Sequence, residues 1–160
     1  VLIIIMFINT LVLNIENPFD AKYLIVISGM LLGNALKGNI VGMNSFYSII
    51  RKDQNLYRYT LLVVYSRFEA VLPYIRESLR AALNPTIASM ATMGIVFLPG
   101  MMTGTILGGA SPVIAIKYQI MIMIAIYAST NLGILLALIT TIPVSFDEYG
   151  LLKTKIFAQK

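Results

Sequence analysis

The stretch "LPGMMTGTILGGASP", residues 98–112, sets two prolines, four glycines and a pair of thioethers in the middle of apolar sequence. Met101 and Met102, with Met90, Met93, Met121 and Met123 in the flanking runs, are soft donors of the kind that hold Cu(I). Methionine is equally a flexible apolar filler, and that use accounts for the same residues. A hard cation would ask for oxygen ligands, yet the apolar runs contain no carboxylate. Their polar groups are amides and hydroxyls: Asn34, Thr92, Thr103, Gln119, Ser129 and Thr130 among them. Lys117, in "IKYQI", is the clear charge near the start of the last run, read either as snorkelling to headgroups or as a counter-charge within the bundle.

The chain has no Cys and no His. Disulfides, thiolate and imidazole metal sites and every nucleophile–histidine pair are thereby excluded, and a metal ligand set stays unassigned. No GxxxxGK[ST] pattern is present, so nothing here cradles a nucleotide phosphate. These residues can bind, line a path or bend; they do not assemble a catalytic centre, and the chain is expected to be no enzyme by itself.

The second constellation is charged. Six of the twelve Lys and Arg residues (Arg51, Lys52, Arg58, Arg67, Arg76, Arg80) fall between positions 51 and 80, opposed by Asp53, Glu69 and Glu77. Within "EAVLPYIRESLRAALNPT" the 100° spacing puts Leu72, Ile75, Leu79, Ala82 and Leu83 on one helical face and Arg76, Glu77 and Arg80 on the other. Pro73 suits the first turn of such a helix, and Glu77 can pair with Arg80 at i,i+3. This face fits anionic lipid or a cytoplasmic partner equally well. Every basic and aromatic cluster abuts an apolar run, so the expected surface partner is the lipid bilayer and not nucleic acid.

The elements that position these groups are membrane helices. The chain of 160 residues is 58% hydrophobic and 12% charged, with a mean hydropathy of +0.84, well above the ordinary globular range. Each crossing needs about 20 apolar residues. The pattern predicts an all-α, polytopic transmembrane helix bundle with a cytoplasmic amphipathic coupling segment. Residues 1–146 read as the C-terminal portion of a single transmembrane domain. Its spans fall at about 1–15, 23–45, 85–107 and 113–142, with the coupling segment at about 51–84, and residues 147–160 form a cytoplasmic basic tail. The first span is short for a bilayer, which predicts that it is truncated. The basic excess at 51–80 and in the tail puts both on the cytoplasmic side. Ser28, Gly29, Gly33 and Ala35 recur at spacings that suit close helix approach. Lys37 is expected to snorkel. Pro99, deep in the third span, is expected to kink or end that helix, and Gly100 and Gly104 to ease the local chain. Irregular backbone at that depth must face protein or a water-filled cavity.

The motifs "SGMLLGNA", "IRESLRAALNPTIASM", "GIVFLPGMMTGTILGGASP" and "AIKYQIMIM", in this order and spacing, resemble the iron-export ABC transporter permease family typified by bacterial FetB, to which plant aluminium-tolerance permeases are also similar. The resemblance covers about Ile27 to Thr140. It implies a multi-pass protein of the bacterial inner membrane that works as a permease homodimer with cytoplasmic ABC ATPase subunits. Mg-ATP would sit on those partners, with no cofactor in this chain. It implies a coupling region carrying Ser66, Glu69, Ala70, Arg76, Glu77 and Arg80, and a hinge or pathway carrying Gly29, Gly33, Asn34, Pro99, Gly100, Met101, Met102, Gly104, Lys117 and Gln119. Relatives commonly carry a glycine turn ahead of the coupling helix; here Val64 occupies that position, so the local bend is expected to differ. Two readings stand beside the permease: a secondary transporter or channel gated at the broken third span, and a nontransporting membrane scaffold.

Overall fold

The computed structural model describes residues 21–64, 66–96, 98–147 and 150–153. The first expected span and the end of the basic tail lie outside the described residues. Among the described residues five helices follow in order: α1 (Ala21–Lys52), α2 (Gln54–Val63), α3 (Arg67–Thr92), α4 (Gly100–Leu107) and α5 (Pro112–Ser145). Two of them, over Leu24–Lys52 and Pro112–Ser145, are long and apolar enough to cross a membrane.

Helix α1 carries Arg51 and Lys52 in its last turn, where cations complement the negative end of the helix dipole. The chain bends at Asp53 without losing helical bonding: Asp53 N–H donates to Ile49 C=O and Tyr57 N–H to Asp53 C=O, each at 2.9 Å. After α2 the backbone straightens through Val64 (φ −96°, ψ 138°) and Ser66 (φ −120°, ψ 132°). Val64 therefore sits in the β region that a β-branched residue prefers, and the connection into α3 needs no glycine at this position.

Helix α3 corrects two expectations. It begins at Arg67, so Pro73 is an interior residue and not a first-turn one. It also runs unbroken through Pro85 to Thr92, so no boundary divides the charged segment from a span starting at residue 85. The expected 85–107 span is instead the end of α3, an irregular stretch and the short α4. Gly94 turns the chain after Met93 at φ 83°, a left-handed conformation that glycine adopts without steric cost. The N–H groups of Ile95 and Val96 return to Thr92 C=O at 3.3 and 3.0 Å. Pro99 then caps α4 in extended backbone (φ −61°, ψ 142°), its C=O accepting from Thr103 N–H at 3.0 Å. Pro99 starts a helix here; the interruption is made earlier, at Gly94.

Helix α5 opens with Ser111, whose Oγ accepts from Ile114 N–H at 3.4 Å, followed by Pro112 at the first helical position. It packs against α1 with the two chains running parallel: Ile27 and Leu31 lie with Ile122 and Ile126, Gly38 meets Thr130, Gly42 meets Ile134, and Tyr47 Oη is 2.7 Å from Ser145 Oγ. The closest approach is at Gly38 and Gly42. A Cβ on Gly38 would collide with Thr130 Cγ2, and one on Gly42 would lie 2.9 Å from Ile134 Cγ2. The small residues expected to serve this purpose are differently placed. Gly29 and Gly33 are exposed, with nothing within 4 Å of an added Cβ, while Ala35 is buried.

Parallel packing brings Arg51, Lys52, the α2–α3 connection and the chain after α5 to one end of the bundle. An aromatic core forms there from Phe46, Tyr57, Tyr74 and Phe146, with edge-to-face or tilted rings 5.8–6.5 Å apart. Residues 150–153 lie back against the end of α5: Phe146 bridges Leu152, Asp147 N–H donates to Leu151 C=O at 2.9 Å, and Lys153 N–H to Ser145 C=O at 3.1 Å. Tyr57 Oη donates to Gly150 C=O at 2.8 Å. Gly150 takes φ 74°, and a Cβ there would stand 3.2 Å from Leu61. Of the segment read as a cytoplasmic basic tail, Asp147 and residues 150–153 are tied to the core, through a buried phenol and the left-handed Gly150.

Candidate functional site

A cavity of about 650 Å³ opens between α1, α3 and α5, with Pro99 at its edge. Each helix presents one face to it. From α1 come Met30, Asn34, Lys37 and Val41, at helical spacing; from α3, Ala82, Pro85, Thr86 and Ser89; from α5, Gln119, Ile122, Met123 and Ile126. The apolar residues make most of the wall, and the amides, hydroxyls and one ammonium provide a few polar points, the usual composition of a small-molecule site.

Some polar groups are already engaged. Asn34 Nδ2 donates to Met30 C=O at 2.8 Å, and Ser89 Oγ donates to Pro85 C=O at 2.9 Å. Gln119 is different: it is 5% exposed, and its Oε1 has no hydrogen-bond partner. Asn39 Oδ1, Ser129 Oγ and Thr130 Oγ1 are likewise buried and unpartnered on the facing surfaces of α1 and α5. A buried polar group without a partner costs free energy in any apolar surrounding. Lys37 is the single charged residue of the lining. Among the described residues, no three His, Cys, Asp or Glu side chains gather to hold a metal.

The cavity joins Asn34, Pro99 and Gln119 of the expected hinge or pathway set. The others are distributed around it. Met101 packs with Met30, Met121 and Met123 around Ile27, Leu31 and Ile122, an apolar filling role, and Met102 is buried in α4. Gly29, Gly33, Gly100 and Gly104 are exposed with open space at the Cβ position, and Lys117 is exposed near the start of α5. Lys37, Thr86 and Ser89 join the site without having been selected from sequence for it. Spacing held a signal for Lys37, three residues after Asn34 on the same face of α1. Nothing local marked Thr86 and Ser89, because α3 was expected to start a new span at residue 85.

The expected coupling residues lie on α3 toward the basic end. Ser66 is the residue before its first turn, Glu69 is exposed within that turn, and Ala70 is 1% exposed. Arg76, Glu77 and Arg80 are exposed, opposite the buried Ile75, Ala82 and Leu83. The i,i+3 ion pair expected between Glu77 and Arg80 is not formed; a described ion pair is Lys153 Nζ to Asp147 Oδ1 at 3.9 Å. Burial, with Tyr74 adding to it and Arg67 opposing, pushes the Tyr57 hydroxyl up to about 12. Burial and then Asp53 raise that of Tyr74. Burial thus favours the neutral form of both phenols, and that of Tyr57 serves as a hydrogen-bond donor in the packed core.

The described residues form an all-helical bundle with two candidate spans around a largely apolar cavity with a few polar points, the architecture of a membrane protein. Comparison with known proteins gives the particular lineage. Residues 1–146 match the family described as Uncharacterised protein family (UPF0014), and the chain belongs to that family. It is 36% identical over 127 residues to the "Probable iron export permease protein FetB" of Escherichia coli, covering 79% of this chain and 49% of that one. It is 34% identical over 141 residues to "Protein ALUMINUM SENSITIVE 3" of Arabidopsis thaliana, covering 88% and 52%. It is 31% identical over 136 residues to the "UPF0014 membrane protein YjkA" of Bacillus subtilis, covering 85% and 54%. The chain spans about half the length of the curated relatives it matches. No solved structure matches it.

Proposed function

We propose that this chain is the membrane-spanning part of an ABC transporter permease, moving a metal or another solute outward with energy from a separate ATPase subunit. The observation that carries the reading is mechanical. One uninterrupted helix, α3, bears both the exposed Arg76, Glu77 and Arg80 and the cavity wall at Ala82, Pro85, Thr86 and Ser89. At 1.5 Å per residue its 26 residues extend about 39 Å. A displacement at its charged start therefore reaches the cavity without crossing a loop, and beyond the cavity the chain is interrupted at Gly94.

In this mechanism the basic end faces the cytoplasm, as its Lys and Arg excess favours. ATP binding closes the partner subunits; they push on the face around Ser66 to Arg80; α3 moves against α1 and α5; and the turn at Gly94 takes up the change. Mg-ATP is bound by the partner, and this chain carries no cofactor. Two copies of the permease pair with two ATPases in the inner membrane. Similarity to the iron export permease makes iron a candidate cargo.

The test is co-purification of the full-length protein in nanodiscs with the cell's ATP-hydrolysing subunits, followed by ATPase assay with and without iron. A stoichiometric complex whose hydrolysis responds to solute is the expected result. Solute movement driven by an ion gradient with no ATPase bound would replace this reading by a secondary transporter. A stable membrane protein that moves nothing and recruits a partner through Arg76 to Arg80 would replace it by a scaffold.

A further inference from the structure

The cavity wall has a chemical bias. Its one formal charge is the Lys37 ammonium, and no carboxylate lines it. Lys37 lies thirteen residues past Leu24 and fifteen before Lys52 in the candidate span, about 20 Å of helix from either end. It was expected to snorkel; it lies at the middle of the helix, exposed, and lines the cavity. A charge so placed within a span is expensive unless it faces water, a partner or a substrate path. Gln119, buried with an unpartnered Oε1, is a second and independent polar group of the wall, with an acceptor open to a donor from a ligand. Asn34, Thr86 and Ser89 add polar atoms on the other two helices.

We propose that this cavity is a binding site for an anionic, hydroxyl-bearing solute, whose negative group pairs with Lys37 and whose hydroxyl donates to Gln119 Oε1. A bare divalent cation fits the wall poorly, because the fixed charge repels it and no anionic oxygen replaces its hydration shell. Size agrees. A volume of about 650 Å³ equals the liquid volume of about 20 waters, more than a hydrated ion fills and within the range of small-molecule pockets. If a metal is the cargo, it enters this site as an anionic oxygen-donor complex. The inference rests on the permease reading for the direction and purpose of the site, but not for its charge preference.

The charge preference is measurable without knowing the natural ligand. The 160 residues contain no cysteine, so Ser89→Cys places one near-isosteric thiol on the wall. Any cysteine elsewhere in the full-length protein is first replaced. Thr86→Cys is the second reporter, for use if the first misfolds. Each is reacted in nanodiscs with an anionic and a cationic methanethiosulfonate of similar size, and each rate is divided by that of the same reagent with a free thiol. The expected result is a normalised preference for the anionic reagent of at least about tenfold, the lower end of what a charge-assisted contact supplies. Lys37→Met should abolish that preference and Lys37→Arg should retain it. Equal normalised rates, a cationic preference, a preference unchanged by Lys37→Met, or failure of both reagents to react at either folded reporter would overturn the proposal. The assay uses neither ATP nor a partner, so it can fail in a true ABC permease and succeed in a protein that binds no ATPase.

Discussion

Gly38→Ala adds one methyl group where α1 and α5 lie closest. Its Cβ would overlap Thr130 Cγ2 and come within 3.6 Å of Ile134 Cδ1. Thr130 is 1% exposed and its Oγ1 is already without a partner, so turning the side chain only exchanges one crowded substituent for another. The helices must instead separate, and overpacking of this kind costs about 1–3 kcal/mol. Against that stands the gain of replacing glycine by alanine in a helix, about 0.8–1.0 kcal/mol. Gly33→Ala, five residues earlier on the same helix, brings the same gain and meets nothing within 4 Å. Subtracting one variant from the other cancels the propensity term and leaves the packing term, so Gly38→Ala should be less stable than Gly33→Ala by about 1–3 kcal/mol. Steric trapping or reversible unfolding in mixed micelles reads this difference directly. Equal stabilities would refute the parallel α1–α5 contact at Gly38 and with it the position assigned to the cavity.

Tyr57→Phe should cost about 1 kcal/mol by removing the bond to Gly150 C=O. Because the folded Tyr57 hydroxyl is raised to about 12, largely by burial, its contribution is complete below the unfolded value near 10 and is lost as pH rises through about 12. Thermal stability should fall across that window in the parent and less steeply in Tyr57→Phe. Gly150→Ala forces a side chain into left-handed backbone against Leu61 and should cost about 1–2 kcal/mol, visible as protease cleavage after α5. Pro99→Ala should leave stability within about 1 kcal/mol, since Pro99 caps α4 and blocks no helical bond; a large loss in a melting experiment would contradict the extended backbone at that residue. Arg76→Glu with Arg80→Glu should reduce ATPase co-purification while membrane insertion is unchanged, and unaltered ATP-coupled transport in that double variant would remove the coupling role.

What sequence made legible follows from the range of the forces involved. Apolar length and the 3.6 period are local, so the helical bundle, the two long spans and the buried face of α3 at Ile75, Ala82 and Leu83 could be read directly. The break near Pro99 was also visible, because proline and glycine act on their own backbone. Its placement was not: proline drew the attention, while a lone Gly94 at φ 83° makes the interruption. Pro73 and Pro85 misled in the opposite sense, since tertiary packing keeps α3 helical through both. Choosing among glycines failed for a related reason. Gly29/Gly33 and Gly38/Gly42 have the same four-residue spacing, and only the partner helix decides which pair is crowded. The cavity was half legible, Asn34 and Gln119 through their polarity and Lys37 through its spacing from Asn34, but the convergence of three helices on one volume is a long-range fact.

The pairing of Phe146 with Leu152 and of Tyr57 with Gly150 gives the bundle a mechanical asymmetry. With Phe146 wedged among the rings of Phe46 and Tyr57 and Gly150 tethered to the same tyrosine, the last helix is stapled to the base from which α3 rises. Among the described residues, the opposite end of α3 finishes at Gly94, in left-handed backbone at φ 83°. Under the proposed coupling, such a body works as a lever rooted at that base, and a tilt imposed there grows in displacement along α3 toward Ser89 and the wall of the cavity.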